Sequence, residues 1–205
     1  VPEALWARTL AGLPFLAVLD GAERARLRTL VERFLAEKEF SAVGGLTLTD
    51  AICVSIAAQG CLPILNRSLA DYRGWVGIVV YPGDFVIPRQ IVDADGIVHE
   101  YDDEVLGEAW EGGPVLIAWF GHEGGPPGVN VVIHEFAHKL DMENGGVDGL
   151  PRLRPGMSRQ AWADAFAHAY EDFCAEVDRG ADTEIDPYGA EHPGEFVAVV
   201  SDAFF

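Results

Sequence analysis

The chain has 205 residues, 49% of them apolar, enough for one domain with a substantial core, and no apolar run is long enough to span a membrane. A net charge of −19, with Lys38 and Lys139 as the two lysines, repels phosphate backbones and anionic lipids and argues against direct nucleic-acid or membrane binding. Cys53, Cys61 and Cys174 form no close pair, which fits a reduced, cytoplasmic protein in which Cys53 and Cys61 pack among apolar neighbours.

The apolar run Leu10 to Leu19 is interrupted by Pro14, and no small-residue cleavage pattern follows, so it is not read as a signal peptide. Asp20-Gly-Ala-Glu23 has the spacing of a capping box, and Leu27, Leu30, Val31, Phe34 and Leu35 give the following Arg24 to Lys38 a helical period. Phe40 to Leu48 is a Gly-containing connector with room for a short strand. Thr49-Asp50 opens a second, buried helix from Ala51 to about Gln59, ended by Gly60 and Pro63. A β-rich region comes next. Val76–Tyr81 is a strand, Phe85–Ile87 another that Pro88 keeps short or at an edge, and Asp93–Gly96 a turn before a returning strand, Ile97–Tyr101. Val115–Trp119 is a further strand, readable equally as interior or as the rim of a cleft to which an extended peptide adds. His122 and Glu123 read as loop polar residues, and Gly124–Gly128 as a rigid loop. Ser158 caps a helix from about Arg159 to Arg179 whose inner stripe is Trp162, Ala165, Phe166, Ala169, Tyr170, Phe173 and Val177, with His168 exposed or hydrogen-bonded rather than on a metal. Pro193 starts a last helix that runs to Phe205.

The chemistry centres on His134-Glu135-Phe-Ala-His138. Two histidines four apart lie on one side of a helix, so their nitrogens converge on a single tetrahedral metal ion at about 2.0–2.1 Å. Glu135 falls where a carboxylate takes a proton from a water whose pKa the metal has lowered. The alternative is a helix with two satisfied histidines. Against it, Val131, Val132, Ile133, Phe136, Ala137 and Leu140 make this helix apolar on nearly every side, and a buried charge needs a partner or a metal.

Two histidines leave a catalytic zinc one protein ligand short. Asp141, on the same helix, would be strained as a ligand and is read as supporting the ligands instead. Variants with a third histidine further along need a Gly near position 141, where this chain has Asp. Glu195 starts a final helix that is apolar almost all round, Phe196 to Val200, so it is expected to be buried, and it is taken as the third ligand, with Glu191 as the fallback. Asp202, seven residues on, either orients a histidine or is surface. Tyr188 is either a phenol that donates to an oxyanion or a packing residue.

His134 to Asp141, with Ile185-Asp-Pro-Tyr188, Pro193-Gly-Glu195 through Phe205, and Gly107-Glu-Ala-Trp110 through Val115, closely resembles the Mlc titration factor A family of bacterial zinc peptidases, also described as glucose-regulated peptidases and anti-repressors. The resemblance covers about Asp71 to the end. It implies a gluzincin-type site with His134, His138 and Glu195 on one zinc, Glu135 as general base and Tyr188 as a transition-state donor. It also implies a fold related to the anthrax lethal factor catalytic domain: an α+β zincin-like domain with a small mixed sheet packed on the metal helix. The expected organisation is one domain over 1–205, a mainly helical part (1–70) followed by the catalytic core (71–205). Further chain beyond Phe205 that gates the cleft or holds a partner is also expected. The expected function is aminopeptidase-like hydrolysis of a peptide or protein substrate. Its rivals are a protein that sequesters a transcriptional repressor around a structural or vestigial zinc, and a metal hydrolase of non-peptide substrates.

Overall fold

The N-terminal third builds a helical layer against one side of the sheet. In the computed structural model, which describes residues 1–92, 96, 98–120 and 128–205, it begins with α1 (Glu3–Gly12), a helix absent from the elements expected above. In α2 (Gly21–Glu37), Asp20 accepts the Glu23 N–H at 2.8 Å and Glu23 accepts the Asp20 N–H at 2.9 Å, so the expected capping box forms and starts the helix earlier than Arg24. Leu27, Leu30, Val31 and Phe34 are its buried stripe. Strand β1 (Glu39–Ala42) follows, and α3 (Asp50–Cys61) is capped by Thr49, whose hydroxyl accepts the Ile52 N–H. From Val54 to Cys61 every residue of α3 is buried, which suits its near-uniform apolar sequence.

The sheet is mixed and four-stranded. With β2 (Gly77–Tyr81), β5 (Gly107–Ala109) and β6 (Val115–Ala118), its order is β1-β2-β6-β5. β1, β2 and β6 run parallel, and β5 is antiparallel to β6. β6 is therefore interior, with all four residues buried, and the edge belongs to β5, whose three residues carry too little pattern to announce a strand. β3 (Phe85–Val92) and β4 (Val98–Val105) form a separate antiparallel ribbon. Pro88 does not shorten β3: it pairs with Asp102 in a ribbon whose two outer edges are unpaired among the described residues, where a missing N–H is tolerated. Asp93–Asp95, Ile97 and the stretch from Gly121 to Pro127, with His122 and Glu123, lie outside the described residues.

Helix α4 (Val131–Asp141) packs between this sheet, α3 and α6 (Pro193–Phe204), and a left-handed Gly145 at φ 98° closes the short 3₁₀ turn that follows it. Its anchor is Phe136, fully buried at ring-centroid distances of 5.7 Å from Phe34, 5.3 Å from Tyr72 and 5.8 Å from Trp75. The ring lies against the bare Cα of Gly60, where a side chain would collide with it. Both lysines are inside. Lys38 Nζ donates to the carbonyls of Tyr72 and Trp75 and sits 3.7 Å from the Trp75 ring centre; Lys139 Nζ lies 5.0 Å from that centre.

Two packing expectations fail. Helix α5 (Arg159–Asp178), capped by Ser158, buries only Phe173; Trp162, Phe166, Tyr170 and Val177 are half-covered, and Ala165 and Ala169 are exposed. Its stripe leans on one residue of α6, Phe196, rather than on the main core. Helix α6 is not buried all round: Val200 and Phe204 face out, and Glu195 is half-buried. His168 is exposed beside Asp172, as expected.

Candidate metal centre

Helix α4 is held at its first turn from two sides. Asn130 accepts the Ile133 N–H at 3.1 Å, and its own N–H donates at 2.7 Å to Asp202 of α6. Asp202 thus braces the start of the histidine helix and, among the described residues, makes no hydrogen bond to a histidine. Asp141, at the other end and fully buried, accepts the Gly149 N–H at 2.9 Å and ties down the following loop; His138 Nδ1 has no hydrogen-bond partner.

Between these braces, His134 and His138 present their Nε2 atoms 3.2 Å apart, and Glu195 Oε2 from α6 lies 3.2 Å from the first and 3.3 Å from the second. Tetrahedral zinc with ligand bonds of about 2.0–2.1 Å has ligand-to-ligand edges of roughly 3.3 Å. The three donors therefore already form one face of such a tetrahedron, and they are the residues among those described that offer a ligand set for a metal ion. Burial raises the Glu195 carboxyl, but the hydrogen bonds and charge of both histidines outweigh this and bring it down to about 2. It is therefore anionic across the physiological range. His138 is raised, because the Glu195 hydrogen bond and the charges of Glu135, Glu195 and Asp141 outweigh its desolvation. Glu191 is exposed and stands apart from the cluster.

Glu135 is 5% exposed and its Oε2 has no partner. Burial pushes its carboxyl up to about 7, with His138 and His134 opposing and Glu195 and Glu108 adding to the rise. Tyr188 sits on a 3₁₀ turn whose Asp186 accepts its N–H, its ring centre 6.3 Å from that of His134. Partial burial and the surrounding carboxylates, Glu195 first, push the phenol up to about 12.

The site opens into two lobes of about 400 and 230 Å³, which share Asp103, Val105, Gly107, His134, Glu135 and Tyr188. The larger is rimmed by Asp103, Glu104 and Asp186 over Val105, Leu106, Val129 and Val131. Two residues without a sequence assignment tie together the elements around the site. Arg89 of β3 donates to Asp103 and to Glu108 of β5, joining ribbon to sheet. Lys139 of α4 donates to the carbonyls of Trp110 and Gly113 and pins the β5–β6 turn to the helix. The signal for Lys139 is its place in a buried helix, where an ammonium calls for carbonyl partners.

The family model of the glucose-regulated metallo-peptidase M90 family matches residues 1–205. An uncharacterised protein of Synechocystis sp. is 39% identical over 199 residues, 94% of this chain and 72% of its own length. Mlc titration factor A of Salmonella arizonae is 35% identical over 206 residues, covering 98% of this chain and 81% of its own. The same-named protein of Salmonella choleraesuis is 35% identical over 205 residues, 98% and 77%. A whole-length match on a chain that brings two histidines and a glutamate together in one cluster leaves a single placement: the chain belongs to the glucose-regulated metallo-peptidase M90 family.

Proposed function

We propose that the chain is a zinc-dependent peptidase of the gluzincin type, a single zincin-like cytoplasmic domain over 1–205 with aminopeptidase-like activity. The observation that carries this reading is the donor triangle of His134, His138 and Glu195, cut to the edge length of a zinc tetrahedron, with Glu135 buried beside it. These three residues would hold the ion. When bound, zinc supplies Lewis-acid polarisation of a carbonyl and a lowered pKa for water at the site. Glu135, whose carboxyl burial raises in the metal-free site, takes the proton of the attacking water and returns it to the leaving amine. Tyr188 keeps its proton well above neutrality and donates a hydrogen bond to the carbonyl oxygen as that atom gains charge. The outer edge of β5, unpaired among the described residues, offers backbone partners to an extended peptide. The carboxylates of the larger lobe suit a free amino terminus.

Metal analysis and peptide hydrolysis by Glu135→Gln test the reading. Zinc per chain should be unchanged and kcat should fall by about 10²–10⁴; activity equal to wild type removes Glu135 as the base. The name of the Salmonella relatives favours a second reading, in which the protein binds a transcriptional repressor and the zinc is structural. Repressor capture by the same variant at wild-type strength, together with peptide hydrolysis absent from the wild type, would select it.

A further inference from the structure

We propose that Gly107 is the positioning residue for Glu135: the bare Cα of the edge strand is the surface against which the carboxylate is set. The inference rests on the reading of Glu135 as the general base.

A Cβ at position 107 would lie 2.5 Å from Glu135 Oε1, 2.6 Å from its Cγ and 2.7 Å from its Cδ, all below the 3.0 Å that real Cβ contacts respect. The backbone there is not left-handed, so no turn geometry demands glycine, and space alone does. The collision cannot be relieved by swinging one flexible tip aside, because it reaches the middle of a side chain that is 5% exposed. Nor can the strand retreat. Leu106 O accepts the Ala118 N–H at 2.7 Å just before it, Glu108 is held by Arg89 just after it, and Lys139 clamps the turn beyond. A methyl group at 107 must therefore move the carboxylate. Gly107 also lines both lobes of the cleft, so the carboxylate it seats stands where the two meet.

The test pairs Gly107→Ala with Glu135→Ala. On the loaded enzyme, Gly107→Ala should lower kcat about 10–100-fold, the cost of a displacement of about 1 Å, with KM within threefold and zinc per chain unchanged. On metal-free protein, thermal melting supplies a readout independent of activity. Gly107→Ala should lower Tm by about 3–10 °C in the wild-type background and leave it unchanged or raised in the Glu135→Ala background, where the methyl fills vacated space. If Gly107→Ala alone does not fold, a folded double variant is the supporting result. Full activity of Gly107→Ala, an equal Tm loss in both backgrounds, or failure of the double variant to fold overturns the proposal. Wild-type activity in Glu135→Gln would instead overturn the reading of the base, while the melting cycle still reports the contact.

Discussion

Replacing Glu195 with alanine removes the one donor of the triangle that comes from outside α4, and its effect on zinc affinity can be worked out. A four-ligand zinc site is worth about 10–16 kcal/mol at neutral pH, so one ligand's share is about 2.5–4 kcal/mol. At about 1.4 kcal/mol per tenfold, affinity should fall by about 10²–10³. The pH dependence adds a signature. Zinc must displace the proton that the Glu195 hydrogen bond helps to keep on His138, so wild-type affinity declines as pH falls through the raised pKa of that imidazole. Without Glu195 the imidazole loses that support and yields its proton more readily. The ratio of wild-type to variant affinity should therefore be widest at pH 8 and narrow towards pH 6. Competition with a chromophoric chelator from pH 6 to 8 measures it. An affinity within threefold of wild type at pH 8, or a ratio that widens on acidification, would refute the assignment of Glu195 as a ligand.

Three other expectations follow from the geometry. Phe136→Ala should cost about 3–5 kcal/mol in urea unfolding, since it empties the space between Phe34, Tyr72 and Trp75 behind the histidine helix; a cost below about 1 kcal/mol would mean the cluster collapses around the gap. Tyr188→Phe should lower kcat about 10²-fold with zinc content and KM little changed, the pattern of a donor used in the transition state alone, and a change confined to KM would make it a packing residue. Burial holds Lys38 and Lys139 down at about 8, against 10.5 for an exposed lysine. From pH 8 upward the unfolded chain therefore binds more protons than the folded one, and stability should rise between pH 8 and 9, before Cys61, whose thiol burial pushes far above its ordinary value, opposes it. Urea midpoints at pH 7.5 and 9 read this, and a flat or falling profile contradicts it.

What the sequence made legible was local. Asp20, Thr49 and Ser158 cap their helices because an N-cap needs only its own side chain and the backbone two or three residues on. His134 and His138 face the same way because four residues is about one helical turn. What it hid was set by distant partners. Asp202 meets Asn130 and Asp141 meets Gly149, and no periodicity names such pairs. The apolar run Val115–Ala118 reads the same at an edge or inside a sheet; its interior place was decided by β5, whose Gly107-Glu-Ala109 lacks any alternation. The apolar stripe of α5 resembled a core face, yet its main neighbour is Phe196 and most of it remains accessible.

With both lysines enclosed, at 8% and 4% exposure, reagents that acylate side-chain amines find no lysine target on the folded surface. Labelling at Lys139 would then clock the transient parting of the β5–β6 turn from the histidine helix. Such labelling is readable by mass spectrometry without any engineered probe.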